Sequence, residues 1–406
     1  VVSRPRRGHL EYHLLVLVTL GLVAFGLVMV YSASSARAAL AADDPAHYLK
    51  RQALYGLVGL AGLAFFSRFD FRRLRYFVGP LLAASFVLLL AVLVLGDPVN
   101  GARRWLSFGP ATLQPSEVAK LALALWVAAY LSRRPAPQYL GELARPLGLV
   151  VGLACGLILV EPDLGTAIAI AIMVAAVLVV AGTRISVLLG AASLGAVVVL
   201  AAIWLEPYRR ERILSFLDPW QDPENGGFQA VQAMIALGSG GVFGVGLGES
   251  VQKVYYLPEA STDMIFAIVG EELGLLGAFG VVAAFAVFGY AGFNVALRCR
   301  DPFGKLLAAG LTALVCGQAA VNVSAVLGLA PLTGIPLPFV SYGGSSLVVG
   351  LASVGILLNI AVNHAADSRA EMPDSRRRDR RARPARARRR GGPARPRRVR
   401  HARRAS

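Results

Sequence analysis

Four stretches of this chain gather charged and hydroxyl side chains inside otherwise apolar sequence. Ionisable groups at membrane depth are costly and tend to mark function. The first stretch, GARRWLSFGPATLQPSEVAK at 101–120, holds Arg103, Arg104, Trp105, a Gln-Pro-Ser break, then Glu117 and Lys120. Glu117 and Lys120 are three apart and share a helix face. They read equally as a local ion pair opening a helix capped by Ser116, or as part of a site. Arg104 and Lys120 are the fixed cations that a phosphate-handling site needs. In the second stretch, EPDLGTA at 161–167, Glu161 and Asp163 can pair with those cations, or Asp163 simply caps the next helix. The third, YLPEASTDMIFAIVGEELG at 256–274, places Asp263 where a long loop re-enters apolar sequence. A partly desolvated carboxylate there suits a general base, and an N-cap is the plainer reading. Glu271 and Glu272 lie about two turns deeper on the same helix and need partners or a cavity. The fourth, GLAPLTGIPLPFVSYGGSS at 328–346, has three prolines and four glycines, which excludes regular helix. Such backbone persists at membrane depth only when buried in protein or lining a wet cavity. Its Ser341, Tyr342, Ser345 and Ser346 offer hydrogen bonds to a sugar or phosphate.

Other chemistries leave no trace. The chain has no phosphate-binding Gly-Lys loop, no zinc histidine pattern and no nucleophile elbow. The five histidines are assigned to tails and loops, and the three cysteines show neither metal-ligand nor disulfide spacing. No cofactor is evident. A divalent cation, Mg or Mn, is compatible with pyrophosphate chemistry, without a dedicated ligand set.

The elements that must position these groups are membrane helices. Of 406 residues 56% are hydrophobic and only 16% charged, too little polar surface for a soluble fold. Mean hydropathy is +0.60. Ten apolar segments are long enough to read as spans: 13–33, 52–67, 76–96, 116–132, 146–160, 165–182, 186–205, 264–290, 305–328 and 345–363. The expected fold is an all-α polytopic membrane protein of about ten helices, with a long loop, 206–263, between helices seven and eight. Basic residues mark every second loop: Arg4, Arg6 and Arg7; Arg68, Arg72, Arg73 and Arg75; Arg133, Arg134 and Arg145; Arg184; Arg298, Arg300 and Lys305. This bias predicts cytoplasmic termini and an outer loop at 206–263. Arg103, Arg104 and the cluster Arg209, Arg210 and Arg212 break the bias, beside the unusual sequence.

The formal charge of +17 belongs mostly to a tail. From His364 to Ser406 there are 17 Arg, no Lys and 4 acidic residues, a net +13 that leaves only +4 for the rest. A short cytoplasmic segment, 1–12, a membrane domain, 13–363, and a disordered Arg-rich tail, 364–406, are expected. Anionic lipid is the favoured partner of that tail and nucleic acid is not expected.

In this order the four stretches, with GLVMVYSASS at 26–35, resemble the SEDS family (shape, elongation, division and sporulation) across residues 12–363. The resemblance implies a ten-span peptidoglycan glycosyltransferase that polymerises lipid II beside a class B penicillin-binding protein. The family's essential aspartate matches Asp263 in LPEA-x-TD, its arginine before tryptophan matches Arg104, and its Glu and Lys match Glu117 and Lys120. Ser261 and Met264 depart from the His and Phe usual around Thr-Asp, which puts a role for that His in doubt. VQKVYYLPEA at 251–260 resembles the FtsW branch more than RodA, which implies divisome partners and a place at the division septum in the inner membrane.

On this reading Asp263 takes the proton from an acceptor hydroxyl as it attacks the donor's anomeric carbon. Arg104 and Lys120 offset the charge on the departing pyrophosphate, and Glu117, Glu161, Asp163, Ser341, Tyr342 and Ser345 complete the substrate-binding set. One essential carboxylate suffices, because pyrophosphate leaves without protonation, unlike the leaving groups of glycosidases. A RodA-type elongation polymerase, a flippase for the same lipid and a recruiting scaffold are the competing readings. A flippase requires charged groups along its whole depth.

Overall fold

The computed structural model describes residues 7–40, 44–99, 102–109, 111–205, 210 and 214–370. Arg209, Arg212 and the Arg-rich tail from 371 lie outside the described residues, as do 1–6. The described residues up to 365 pack as one unit.

Long apolar segments fold as helices because nothing in lipid can satisfy an open backbone. The helices are α1 (Arg7–Leu40), α2 (His47–Arg68), α3 (Leu74–Leu95), α4 (Pro115–Leu131), α5 (Leu149–Val160), α6 (Leu164–Ala181), α7 (Ile185–Leu205), α8 (Phe228–Gly240), α9 (Ile265–Arg298), α10 (Pro302–Val326) and α11 (Gly344–Ala370). Seven segments among the described residues are long and apolar enough to cross a membrane: 10–35, 71–95, 140–160, 164–181, 265–298, 302–326 and 344–363. The other three expected spans coincide with α2, α4 and α7. These fall short for visible reasons: α2 opens with His47, Lys50, Arg51 and Gln52, and α4 has 17 residues.

The centre is α10, whose spanning window is 78% buried, and α11 beside it at 72%, against 22% for α3. Asp301 starts α10: its Oδ1 accepts from the amides of Phe303 (2.8 Å) and Gly304 (3.2 Å). Asp301 also holds Arg75 at 2.5 Å.

Two features correct the expectation. The fold is not wholly α-helical: β1 (Asp97–Val99), β2 (Ala102–Phe108) and β3 (Ala111–Leu113) form an antiparallel sheet in that order. Trp105 pairs with Asp97, and Leu106 with Leu113. Gly109, at φ +62°, turns between β2 and β3. Exposed Arg103 and Ser107 against buried Leu106 show the strand alternation, over too few residues to stand out among spans of 20. Likewise His9 and His13 lie on α1, His47 opens α2 and His364 lies on α11, so four of the five histidines are helical.

The second feature is a break inside α9. Gly274 takes φ +66° and ψ −163°, and the glycine-rich run after α8 docks there. The amides of Val245 and Gly246 donate to the carbonyls of Glu271 and Glu272, at 3.0 and 3.1 Å. Leu275 and Leu276 donate to Gly241 and Val242, at 2.9 and 3.3 Å. The hydrogen bonds that a continuous helix would make at this turn are replaced by bonds to another segment.

Candidate functional site

Arg104 reaches from β2 to the turn between α5 and α6. Its Nε donates to the carbonyl of Glu161 at 2.8 Å and its Nη2 to that of Pro162. A guanidinium has five N–H groups, so three remain for another acceptor. Asp163 caps α6, accepting from the Thr166 amide (3.0 Å) and hydroxyl (2.8 Å), with the Gln114 amide at 3.3 Å. The capping reading of Asp163 is therefore the structural fact. Glu161 is different: it is 1% exposed, and neither carboxylate oxygen has a hydrogen-bond partner among the described residues. Burial first, then the charge of Asp163, pushes its carboxyl up to about 8 against the pull of Arg104.

Glu117 and Lys120 form the local ion pair, at 2.9 Å, and both are 3% exposed. Lys120 also donates to Gln318 Oε1 at 2.7 Å, and Gln318 Nε2 donates to the carbonyl of Pro336 at 2.9 Å. Lys120 thus faces the bundle interior, at a cavity of about 30 Å³ that it shares with Glu117, Gln318 and Ser346, room for one or two waters. The expected cap on α4 is corrected: Gln114 is the N-cap residue, Pro115 opens the helix, and the Ser116 hydroxyl has no partner among the described residues.

Asp263 stands on a loop held at its base and at its tip. At the base, Lys253 Nζ meets Glu272 Oε1 at 2.6 Å, and the Ser32 hydroxyl of α1 donates to Glu272 at 2.7 Å. Glu271 accepts from the Ser250 hydroxyl and from the Val251 amide at 3.0 Å. At the tip, the Tyr342 amide donates to the carbonyl of Ser261 (2.8 Å), and Asn322 Nδ2 to that of Asp263 (2.8 Å). Glu259, at φ +55°, bends the chain just before, and such backbone in a non-glycine residue clusters at functional sites. Met264, not Asp263, occupies the N-cap position of α9, and the Thr262 hydroxyl lies 3.4 Å from Asp263 Oδ1. Its Oδ2 lies beside Gly334, 3.9 Å from where a Cβ there would sit.

The loop between α10 and α11 joins these pieces. Its Thr333 and Ile335 press on Gly165 of α6 so closely that a Cβ at Gly165 would collide with Ile335. Ser341 and Ser345 face inward: Ser341 Oγ accepts from the Leu337 amide (2.8 Å), and Ser345 Oγ from the Gln114 amide (3.2 Å). Gln52 of α2 bonds the Ser341 carbonyl (3.1 Å) and the Gly343 amide (3.3 Å). The Tyr342 ring meets Tyr48 edge-on at 5.0 Å, and the positive charge of Arg51 lies near its hydroxyl. Burial moves the Tyr342 hydroxyl upward.

All four stretches therefore converge around the end of α10 that carries Asn322. Among the residues chosen from sequence, Asp263, Arg104, Tyr342 and Glu161 remain candidates for chemistry. Glu117, Lys120, Asp163, Ser341 and Ser345 are engaged in internal bonds. Sequence reasoning passed over Gln318, Asn322, Gln52, Arg51 and Lys253. Polar residues inside apolar spans were the available signal for the first three.

Comparison with known proteins identifies the family. Residues 12–366 match the family model described as cell cycle protein, FtsW/RodA/SpoVE. A probable peptidoglycan glycosyltransferase FtsW of Geobacter metallireducens is 41% identical, over 86% of this chain and 93% of the relative. Stage V sporulation protein E of Bacillus subtilis is also 41% identical, over 86% and 96%. A chain solved in a peptidoglycan synthase complex that coordinates polymerization and crosslinking superposes with TM-score 0.71 at 33% identity, covering 86% of this chain and 97% of that one. The rod shape determining protein RodA of Thermus thermophilus superposes with TM-score 0.64 at 31% identity, covering 86% and 96%. By the match across its helical core and the identity to these relatives, this chain belongs to the FtsW/RodA/SpoVE family of cell cycle proteins.

Proposed function

We propose that this chain is a peptidoglycan glycosyltransferase that polymerises lipid II into glycan strands for septal wall synthesis. The observation that carries the reading is the seat of Asp263: its carbonyl is held by Asn322 and its Oδ2 lies beside Gly334, at the junction of the four polar stretches. Relatives named FtsW support the activity and the septal role. The basic loops support ten spans with both termini cytoplasmic and the 206–263 loop outside, which puts Asp263 at the outer face of the inner membrane.

In the reaction, Asp263 accepts the proton of the acceptor sugar's 4-hydroxyl while that oxygen attacks the donor's anomeric carbon. The new glycosidic bond forms as the bond to pyrophosphate breaks, in one displacement that inverts the centre. The electron pair leaves on the pyrophosphate, where the spare N–H groups of Arg104 and the guanidinium of Arg51 meet it. Lys120, bonded to Glu117 and Gln318 in the interior, braces α4 against α10 and does not itself meet the pyrophosphate. A divalent cation, Mg or Mn, would arrive on the pyrophosphate. A class B penicillin-binding protein is the proposed partner, supported by the neighbour solved in a synthase complex.

The test is polymerisation of purified lipid II by the protein with its class B penicillin-binding protein, comparing wild type with Asp263→Asn and Asp263→Ala. Long strands from wild type and none from folded mutants are expected. Normal polymerisation by the mutants would remove Asp263 from the mechanism. Transbilayer movement of lipid II without polymerisation would turn the reading to a flippase.

A further inference from the structure

We propose that Asn322 is a positioning residue for Asp263, a role that rests on the catalytic reading of Asp263 given above. Asn322 lies one turn from the end of α10 and is 2% exposed. Its Nδ2 donates both hydrogens to backbone: one to the carbonyl of Asp263 and one to that of Ile335, each at 2.8 Å.

A regular helix would pair the Asp263 carbonyl with the Ala267 amide, but that amide donates to Met264, at 2.9 Å. Ile335 precedes Pro336, and Pro338 follows two residues on, so its own loop is poor in N–H donors. Without Asn322, the carbonyls of Asp263 and Ile335 both lose the bond that ties them to α10, at the place where the carboxylate must be held.

The geometry makes the amide a bracket around that carboxylate. Asp263 Oδ2 lies beside Gly334, and the bonded carbonyls belong to Asp263 itself and to the residue after Gly334. One side chain therefore fixes both the main chain carrying the acid and the loop facing it. Gln318, one turn back on α10, makes the parallel bond to Pro336 at 2.9 Å, with its oxygen turned to Lys120. It is the internal control. Displacing a catalytic group by about 1 Å costs on the order of a hundredfold in rate, so a bracket of this kind acts on turnover more than on substrate binding.

The experiment measures kcat and KM for lipid II polymerisation by the full chain with its class B penicillin-binding protein, plus melting temperature. Asn322→Ala, the isosteric Asn322→Asp, Gln318→Ala and Asp263→Asn are compared with wild type. The expected result is kcat lowered about tenfold or more in both Asn322 variants, KM within about twofold, and a smaller kcat loss in Gln318→Ala. Wild-type kcat in a folded Asn322 variant would overturn the proposal, as would an equal loss in Gln318→Ala. So would failure of both Asn322 variants to fold, which marks a purely structural residue. An active Asp263→Asn variant would instead bring down the catalytic reading itself. An inactive Asp263→Asn beside a normal Asn322→Ala leaves that reading standing and removes only the bracket.

Discussion

Lys253 and Glu272 meet at 2.6 Å inside the protein, both 3% exposed or less, and their pairing closes the base of the loop that carries Asp263. The Ser32 hydroxyl and the Gly248 carbonyl fill the remaining hydrogen-bonding positions around the pair. A buried pair satisfied in this way is costly to halve, because the remaining charge has no solvent to take it.

Lys253→Met or Glu272→Gln should therefore destabilise the protein by about 3–5 kcal/mol. The double variant Lys253→Met with Glu272→Leu should recover most of that, because no charge is left unpaired. Thermal unfolding in detergent, followed by tryptophan fluorescence, checks it; a double variant no better than the singles would refute the argument.

The docking of the glycine-rich run on the break in α9 depends on close backbone approach. A Cβ at Gly240 would collide with the carbonyl oxygen of Gly270, and one at Gly244 with that of Glu272. Gly238, two residues before Gly240, has open space around it. Gly240→Ala and Gly244→Ala should lose folded protein, and Gly238→Ala should express like wild type. The yield of monodisperse protein after size exclusion reads the difference.

Glu161 gives a pH dependence with a definite sign. Its ordinary value is 4.5 and burial raises it to about 8, so between these values the native state holds a proton that the unfolded state has lost. Native stability contributed by this group is full below about 4.5, declines as pH rises, and levels off above about 8. Glu161→Gln should be more stable than wild type by a margin that grows from pH 5 to pH 8 and then stays constant. Melting curves across pH 5–9 would show a flat difference if the carboxyl ionised normally.

Arg104→Lys keeps the charge but cannot hold the carbonyls of Glu161 and Pro162 in a planar fork. We expect a loss of about 1–3 kcal/mol and a drop in polymerisation greater than that of Arg103→Lys. Arg103 is exposed, and its side chain makes a long bond to the Val94 carbonyl, at 3.3 Å. Equal activity in the two variants would remove Arg104 from the site.

What the sequence determined by itself is where the long apolar helices lie, and the family. Hydrophobic length is a local property, and lipid leaves the backbone of such a segment no alternative to the helix. Motifs such as LPEASTD and EPDLGTA are contiguous, so they could be seen without coordinates. Which polar residues act and which only hold the fold was decided by tertiary contacts. Lys120 and Asp163 carry the same charges as any candidate ligand, but Glu117 and Gln318 engage one, and Thr166 and Gln114 the other. Asn322, 59 residues from Asp263 in the chain, is joined to it by one hydrogen bond. The small sheet and the break at Gly274 were hidden for the same reason: each is stabilised by partners distant in sequence or by a handful of residues, and neither leaves a period long enough to read.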